Sequence, residues 1–200
     1  MRLVLVLLAA AFGLTTDAPP ARTAAELCRP GIKTPTTGRA QPARDLYADP
    51  GSPERRNLRG PGVRGVLLTL SGHVYDERCT PAARVMLDFF HADSRGKYDR
   101  REIRFHGHQY TDAEGRYLLE TIVPNRYLRR APHIHVAVQS DGGPLLTTQL
   151  FFPGSLRAYG MNVAASNAHD PGFKRALVVH LSSRQRNHYR ARFDFVIAAR

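Results

Sequence analysis

Two hundred residues suffice for one domain with a sizeable core. A hydrophobic content of 42% is ordinary for a globular chain, and 14 prolines with 16 glycines argue for many turns and against a helical bundle. The net charge of +12 attracts acidic partners, but the arginines are dispersed and carry no helix-turn-helix, zinc-finger or RNA-platform signature. Nucleic acid is therefore not an expected partner, and the charge reads as a solvated surface that could also help capture carboxylated aromatics.

Arg2 precedes an apolar run from Leu3 to Leu14, and polar and small residues follow from Thr15 to Ala18. This is the pattern of a secretory signal peptide, expected over residues 1–20; the run is too short for the roughly 20 residues of a bilayer span. An uncleaved anchor is the alternative. A secreted or periplasmic protein is expected, with no stable membrane insertion after cleavage. Residues 21–64 are polar and rich in Pro, Arg and Gly, which predicts an irregular, extended N-terminal arm. In an oxidising compartment Cys28 and Cys79 could form a disulfide that pins this arm to the body; two unpaired thiols are the alternative.

From residue 65 to residue 200 short apolar segments alternate with turns and read as one domain. Strands are predicted over 66–75, 84–91, 116–122, 133–138, 147–152, 176–181 and 191–197. Alternation in the second puts Val85, Leu87, Phe89 and His91 on one face. Thr111–Gly115 and Val123–Asn125 are turns. Residues 153–172 hold two prolines and three glycines and predict a long loop or short helix. The fold class expected is all-β, an antiparallel β-sandwich with long loops.

The segment Arg130-Ala-Pro-His-Ile-His135 holds the chemistry. On a strand His133 and His135 share a face, while Ile134 and Val136 take the other. Paired neutral imidazoles suit zinc, copper, iron or nickel, although a His-x-His pair alone is weak evidence and more often marks ordinary surface or core histidines. No well-placed Glu follows within Val136–Asp141, and two cysteines do not make a structural zinc site. The nearby donors are Tyr127, after the Pro124-Asn125 turn, and Tyr98, after the 84–91 strand. Phenolate is a hard anionic oxygen suited to Fe(III), and a bound cation can strip its proton. Two phenolates, one hydroxide and two neutral imidazoles balance a ferric ion, and a catecholate dianion could replace one phenolate and the hydroxide at no change of charge.

Six blocks occur in order: Leu70–Pro81, Asp88–Tyr98, Tyr110–Tyr117, Thr121–Tyr127, Arg130–His135 and Thr148–Gly154. Together they resemble the intradiol ring-cleavage dioxygenases, the class of protocatechuate and catechol dioxygenases. The resemblance implies a β-sandwich with Fe(III) held by Tyr98, Tyr127, His133 and His135. It implies that Tyr127 is displaced by substrate, that Arg130 lies against the substrate and stabilises developing negative charge, and that Gln149 supports the site from outside. The implied reaction uses O2 to cut a catechol between its two hydroxylated carbons, giving a muconate-type diacid without an organic cofactor. Phe90, Asn125 and Leu128 stand where the family often has Trp, Gly and Pro. A non-catalytic sandwich module that binds carbohydrate or protein, and a metal-binding relative that has lost ring cleavage, are the other readings. A homo-oligomer is left open.

Other polar residues are read more plainly. His106 and His108, across Gly107, are taken as loop residues, and His91 as a packed or hydrogen-bonded strand histidine. Asp88 and Asp93 are expected to support loops. His73, His169, His180 and His188 are assigned no role.

Overall fold

A computed structural model describes residues 28–37, 51–99 and 104–198. The predicted signal peptide and part of the predicted arm lie outside the described residues. Among the described residues nine strands follow in order: β1 Leu67–Tyr75, β2 Met86–His91, β3 His106–Tyr110, β4 Arg116–Ile122, β5 His133–Gln139, β6 Leu146–Phe151, β7 His180–Gln185, β8 His188–Arg192 and β9 Phe195–Val196. One short helix, α1 (Val163–His169), and a 3-10 turn, Arg175–Leu177, lie between β6 and β7.

The strands form two sheets that pack face to face. One has the order β4-β1-β8-β7, with β9 also on β1; the other has the order β3-β2-β5-β6. β1 runs parallel to β8 and β9, and the other pairings are antiparallel. The sandwich expected from the sequence is the one observed.

β1 alternates buried and half-buried positions along its length, as a strand with one covered face must. Its inward Leu68, Leu70 and Val74 meet Leu87 and Phe89 of β2 and Ile134, Val136 and Val138 of β5 in one apolar core. β5 is buried on both faces. One face belongs to that core, and the loops covering the other face build the candidate site.

Three sequence expectations shift. His106–Tyr110 is a strand, not a loop, and its polar run gave no apolar alternation to read. Residues 51–58 cover its outer flank: Arg55 N donates to His108 O and Leu58 N to Glu120 O, tying the edges of both sheets. The predicted strand 176–181 divides between the end of the 3-10 turn, an isolated bridge from Val178 to Phe151 and the start of β7. The predicted strand 191–197 divides between β8 and β9 at Phe193-Asp194, where the Asp194 carboxylate accepts the His73 amide.

Cys28 and Cys79 are disulfide-bonded. Beyond the bond, Thr34 exchanges hydrogen bonds with Val196, and Pro35 O accepts the Thr148 hydroxyl. The described part of the arm is thus fastened along the ends of both sheets.

Candidate metal centre

The register of the second sheet sets the site. On the outward face of β5, His135 pairs with Phe90 of β2 on one side and with Gln149 of β6 on the other, and His133 pairs with Phe151. Both histidines are nonetheless buried, at 3% and 9% exposure, because loops fold over this face. One loop follows β2 and carries Tyr98. Another follows β4 and carries Tyr127.

The Tyr98 loop is shaped by Asp93, whose carboxylate accepts the amides of Arg95 and Lys97. The same device, a carboxylate accepting the second and fourth amides onward, recurs at Asp76 and Asp112. Asp93 therefore supports a loop, as expected. Asn125 joins the two tyrosine loops: its amide N–H donates to Asp93 O and its side chain to Ser94 O. Leu128 sits at a φ of +52°, closed to proline, inside a turn in which Arg130 N donates to Tyr127 O.

The Tyr98 hydroxyl lies 3.2 Å from His133 Nε2 and 3.1 Å from His135 Nε2, and the two Nε2 atoms are 3.0 Å apart. The Tyr98 ring stacks on Phe90, with centroids 4.9 Å apart. Tyr127 presents its ring edge-on to Tyr98, also at 4.9 Å, and is 37% exposed. Its hydroxyl has no hydrogen-bond partner among the described residues.

His133 Nδ1 lies 2.7 Å from the Ala131 carbonyl, which can only accept, so Nδ1 holds the proton and Nε2 offers a lone pair. Burial pushes the pKa of His133 down to about 4, against the opposing pull of the Ala131 hydrogen bond. Burial, then the neighbouring His133 and Arg130, push His135 well below its usual range. Both imidazoles are neutral at neutral pH, which is the form a metal takes.

Two imidazole nitrogens and a phenol oxygen thus meet at one point, with a second phenol alongside. This donor set fits a trivalent, oxygen-favouring ion such as iron. Among the described residues no group of three or more His, Cys, Asp or Glu could hold a metal, so the centre depends on its tyrosines.

Arg130 and Gln149 are in contact. Arg130 Nη2 donates to Gln149 Oε1 at 2.7 Å, and Gln149 Nε2 stands 3.5 Å from His135 Nδ1. A third member with no sequence signal, Asp170, joins them: its two oxygens accept Arg130 Nε at 3.1 and 2.9 Å. Burial alone would raise the Asp170 pKa, but hydrogen bonds from Arg130, Ala131 and Gly172 hold it below the ordinary carboxylate range.

Asp88, on β2 within the predicted strand 84–91, is buried and accepts the hydroxyl of Ser52 from the irregular segment before β1 at 2.9 Å, while also lying 3.2 Å from His106 Nε2, a pairing not expected from the sequence. His106 in turn meets the edge of Phe90, beneath Tyr98. His91 is the packed strand histidine expected, with Nδ1 on Ala92 O and Nε2 on the Thr121 hydroxyl.

Comparison with known proteins agrees with this geometry. The family profile described as Dioxygenase matches residues 52–199. The protocatechuate 3,4-dioxygenase beta chain of Burkholderia cepacia is 32% identical over 114 residues, covering 48% of each chain. The chain spans about half the length of the curated relatives it matches. Among solved structures, the dioxygenase domain of a dioxygenase–carbohydrate-binding protein fusion from Streptomyces sp. SirexAA-E is 38% identical. Its TM-score is 0.69, with 86% of this chain and 100% of that one covered. The 3-chlorocatechol 1,2-dioxygenase of Rhodococcus opacus 1CP is 25% identical with a TM-score of 0.64, over 76% of this chain and 69% of that one. The chain belongs to the intradiol ring-cleavage dioxygenase family.

Proposed function

We propose that this protein is a non-haem Fe(III) dioxygenase that cleaves catechol-type rings between the two hydroxylated carbons, placing both atoms of O2 in a muconate-type diacid. The observation that carries the reading is the meeting of Tyr98 Oη, His133 Nε2 and His135 Nε2 within 3.0–3.2 Å of one another, with Tyr127 against Tyr98. A binding-module reading leaves that convergence without a purpose.

Tyr98, Tyr127, His133 and His135 would hold the iron, which when bound supplies the Lewis acidity that takes a catechol as its dianion and prepares the ring for O2. The side chains divide the remaining work. Tyr127, half-exposed and with no hydrogen bond to its hydroxyl among the described residues, is the phenolate able to leave and to take up a catechol proton on its own oxygen. Tyr98, stacked on Phe90 and close to both imidazoles, stays. Arg130 sets a permanent positive charge beside the histidines, where negative charge on a substrate oxygen would be stabilised. Gln149 fixes that guanidinium.

A recess of about 460 Å³ beside Tyr98 is bordered by Arg64, Arg95, Lys97 and Arg104 against Asp93 and Asp99. Its excess of positive charge favours catechols with an anionic substituent. A secreted or periplasmic location is part of the proposal; the Arg2–Ala18 pattern and the Cys28–Cys79 bond support it.

The test is a visible spectrum of the purified protein before and after loading with Fe(III), followed by oxygen uptake with a panel of catechols. A phenolate-to-iron band and stoichiometric uptake are expected. Protein that stays colourless after iron loading would overturn the iron assignment; a coloured protein with no uptake on any catechol would overturn the activity.

A further inference from the structure

We infer that Asp170 is the positioning residue of Arg130: its carboxylate sets the guanidinium beside the candidate metal centre. The inference rests on the proposed function for its catalytic meaning and on geometry for its substance. Asp170 has no side-chain exposure, whereas Arg130 retains 26%. A buried carboxylate without partners would be costly, and three donors meet this one in four hydrogen bonds. Both oxygens accept Arg130 Nε, Oδ2 also accepts Ala131 N, and Oδ1 accepts Gly172 N. With Nε on Asp170 and Nη2 on Gln149, Nη1 is the guanidinium nitrogen left without a partner among the described residues.

The long excursion between β6 and β7 accounts for where this carboxylate stands. Asn162 caps α1 by accepting Ala165 N, and the Asn167 side chain donates to Phe152 O, fastening the helix to the end of β6. Pro171 then holds the preceding residue out of helical conformation, and Asp170 is extended at φ −87° and ψ 117°. Gly172 completes the arrangement by close approach. A Cβ there would stand 2.9 Å from Arg130 Nη2, 3.2 Å from Gln149 Oε1 and 3.3 Å from Asp170 Oδ1. Asp170 is also the sole acidic residue between 153 and 172.

Ala131 extends the same contact toward the metal ligands. Its N–H is held by Asp170 while its carbonyl accepts His133 Nδ1–H. One carboxylate therefore fixes the arginine and steadies the backbone that sets the His133 tautomer, an outer support of the kind that tunes metal sites.

The experiment compares wild type, Asp170→Asn, Arg130→Gln and the double variant as iron-loaded protein, with Gly172→Ala as a second route. Asn keeps one carbonyl oxygen for the Ala131 amide and removes the charge; the alanine crowds the guanidinium and leaves the carboxylate in place. Expected for Asp170→Asn are a kcat lower by about 10- to 100-fold, KM within about threefold, and iron content and visible band unchanged. In the Arg130→Gln background the same change should cost less than about twofold, because the two residues act as a unit. Gly172→Ala should reproduce the kcat loss.

A second readout is independent of activity. Hydrogen exchange at Arg130 Nε, followed by 15N NMR in iron-free protein, should be at least about tenfold faster in Asp170→Asn than in wild type. If wild-type protein consumes no O2, the catalytic reading fails and this readout still decides whether Asp170 holds Arg130. The inference is overturned by unchanged kcat, by unchanged exchange, or by a loss that accompanies iron release and persists in the Arg130→Gln background. If Asp170→Asn does not fold, Gly172→Ala with full kcat overturns it.

Discussion

Gly96 lies directly beneath the Arg126 carbonyl: a Cβ on Gly96 would stand 1.9 Å from that oxygen. The glycine is also at a φ of +74°, where an L side chain is strained. This approach, with the two hydrogen bonds of Asn125, brings the loop of Tyr98 against the loop of Tyr127. Gly96→Ala should therefore part the two phenols. Stability should fall by at least about 1 kcal/mol, and more if the loops cannot separate. Thermal unfolding reads the first effect and iron stoichiometry the second. Wild-type values in both would mean that the close approach has no part in building the centre.

Adjacent residues of β5 should behave in opposite ways. His133→Ala removes a nitrogen from the outward face and should abolish stoichiometric iron together with the visible band. Ile134→Val, one residue on, trims the inward core, where Ile134 is fully buried. It should keep iron and colour and cost about 0.5–1.5 kcal/mol. Iron analysis and urea unfolding of the two proteins separate the faces. Loss of iron in Ile134→Val at ordinary stability would contradict the division.

That division was readable before any coordinates, because strand geometry is periodic and His133-Ile-His135 states the period in three residues. The tyrosines were readable through their place in ordered blocks. Asp170 was not, since it follows a helix inside a Pro- and Gly-rich stretch and its partner Arg130 is 40 positions away. Asp88 and His106 escaped for a related reason. Their pairing depends on the register of β2 with β3, and β3 lacks the apolar alternation that would have declared it a strand. Phe193-Asp194 hid the break between β8 and β9 because both flanks are strand-forming. Periodicity reports which face a residue occupies; it says nothing of what the other end of the chain lays across that face.

Reducing the Cys28–Cys79 bond should free the arm. The bond spans a sequence separation of 51, and chain entropy assigns such a loop about 4 kcal/mol. Residues 28–37 would then depend on hydrogen bonds such as Thr34–Val196, Thr148–Pro35, Gly31 N to Glu77 O and Lys174 Nζ to Thr36 O. Cys28→Ser/Cys79→Ser should lower the urea midpoint and raise amide exchange at Thr34 and Val196, while Tyr98 and His135 remain unaltered in the spectrum of the iron-loaded protein. An unshifted midpoint would show that the arm is held without the bond.

Acid should destabilise the iron-free protein between pH 6.5 and about 4, and His91 gives the sign. Burial pushes its pKa from an ordinary 6.5 down to about 4, outweighing the hydrogen bond to Ala92 O that pulls it up. In that window the unfolded chain binds a proton at His91 that the folded protein does not. Stability therefore rises with pH across the window and is fully present above 6.5. One such group contributes a slope of up to about 1.4 kcal/mol per pH unit. His133 and His135 act with the same sign, so His91 must be isolated by substitution. His91→Gln retains a donor and an acceptor for Ala92 O and Thr121 while removing the titration. Urea unfolding in steps from pH 4 to pH 8 should show a shallower acid limb for His91→Gln than for wild type, with both curves flat above pH 7. Parallel limbs would mean that His91 is already protonated in the folded protein or that its burial is incomplete.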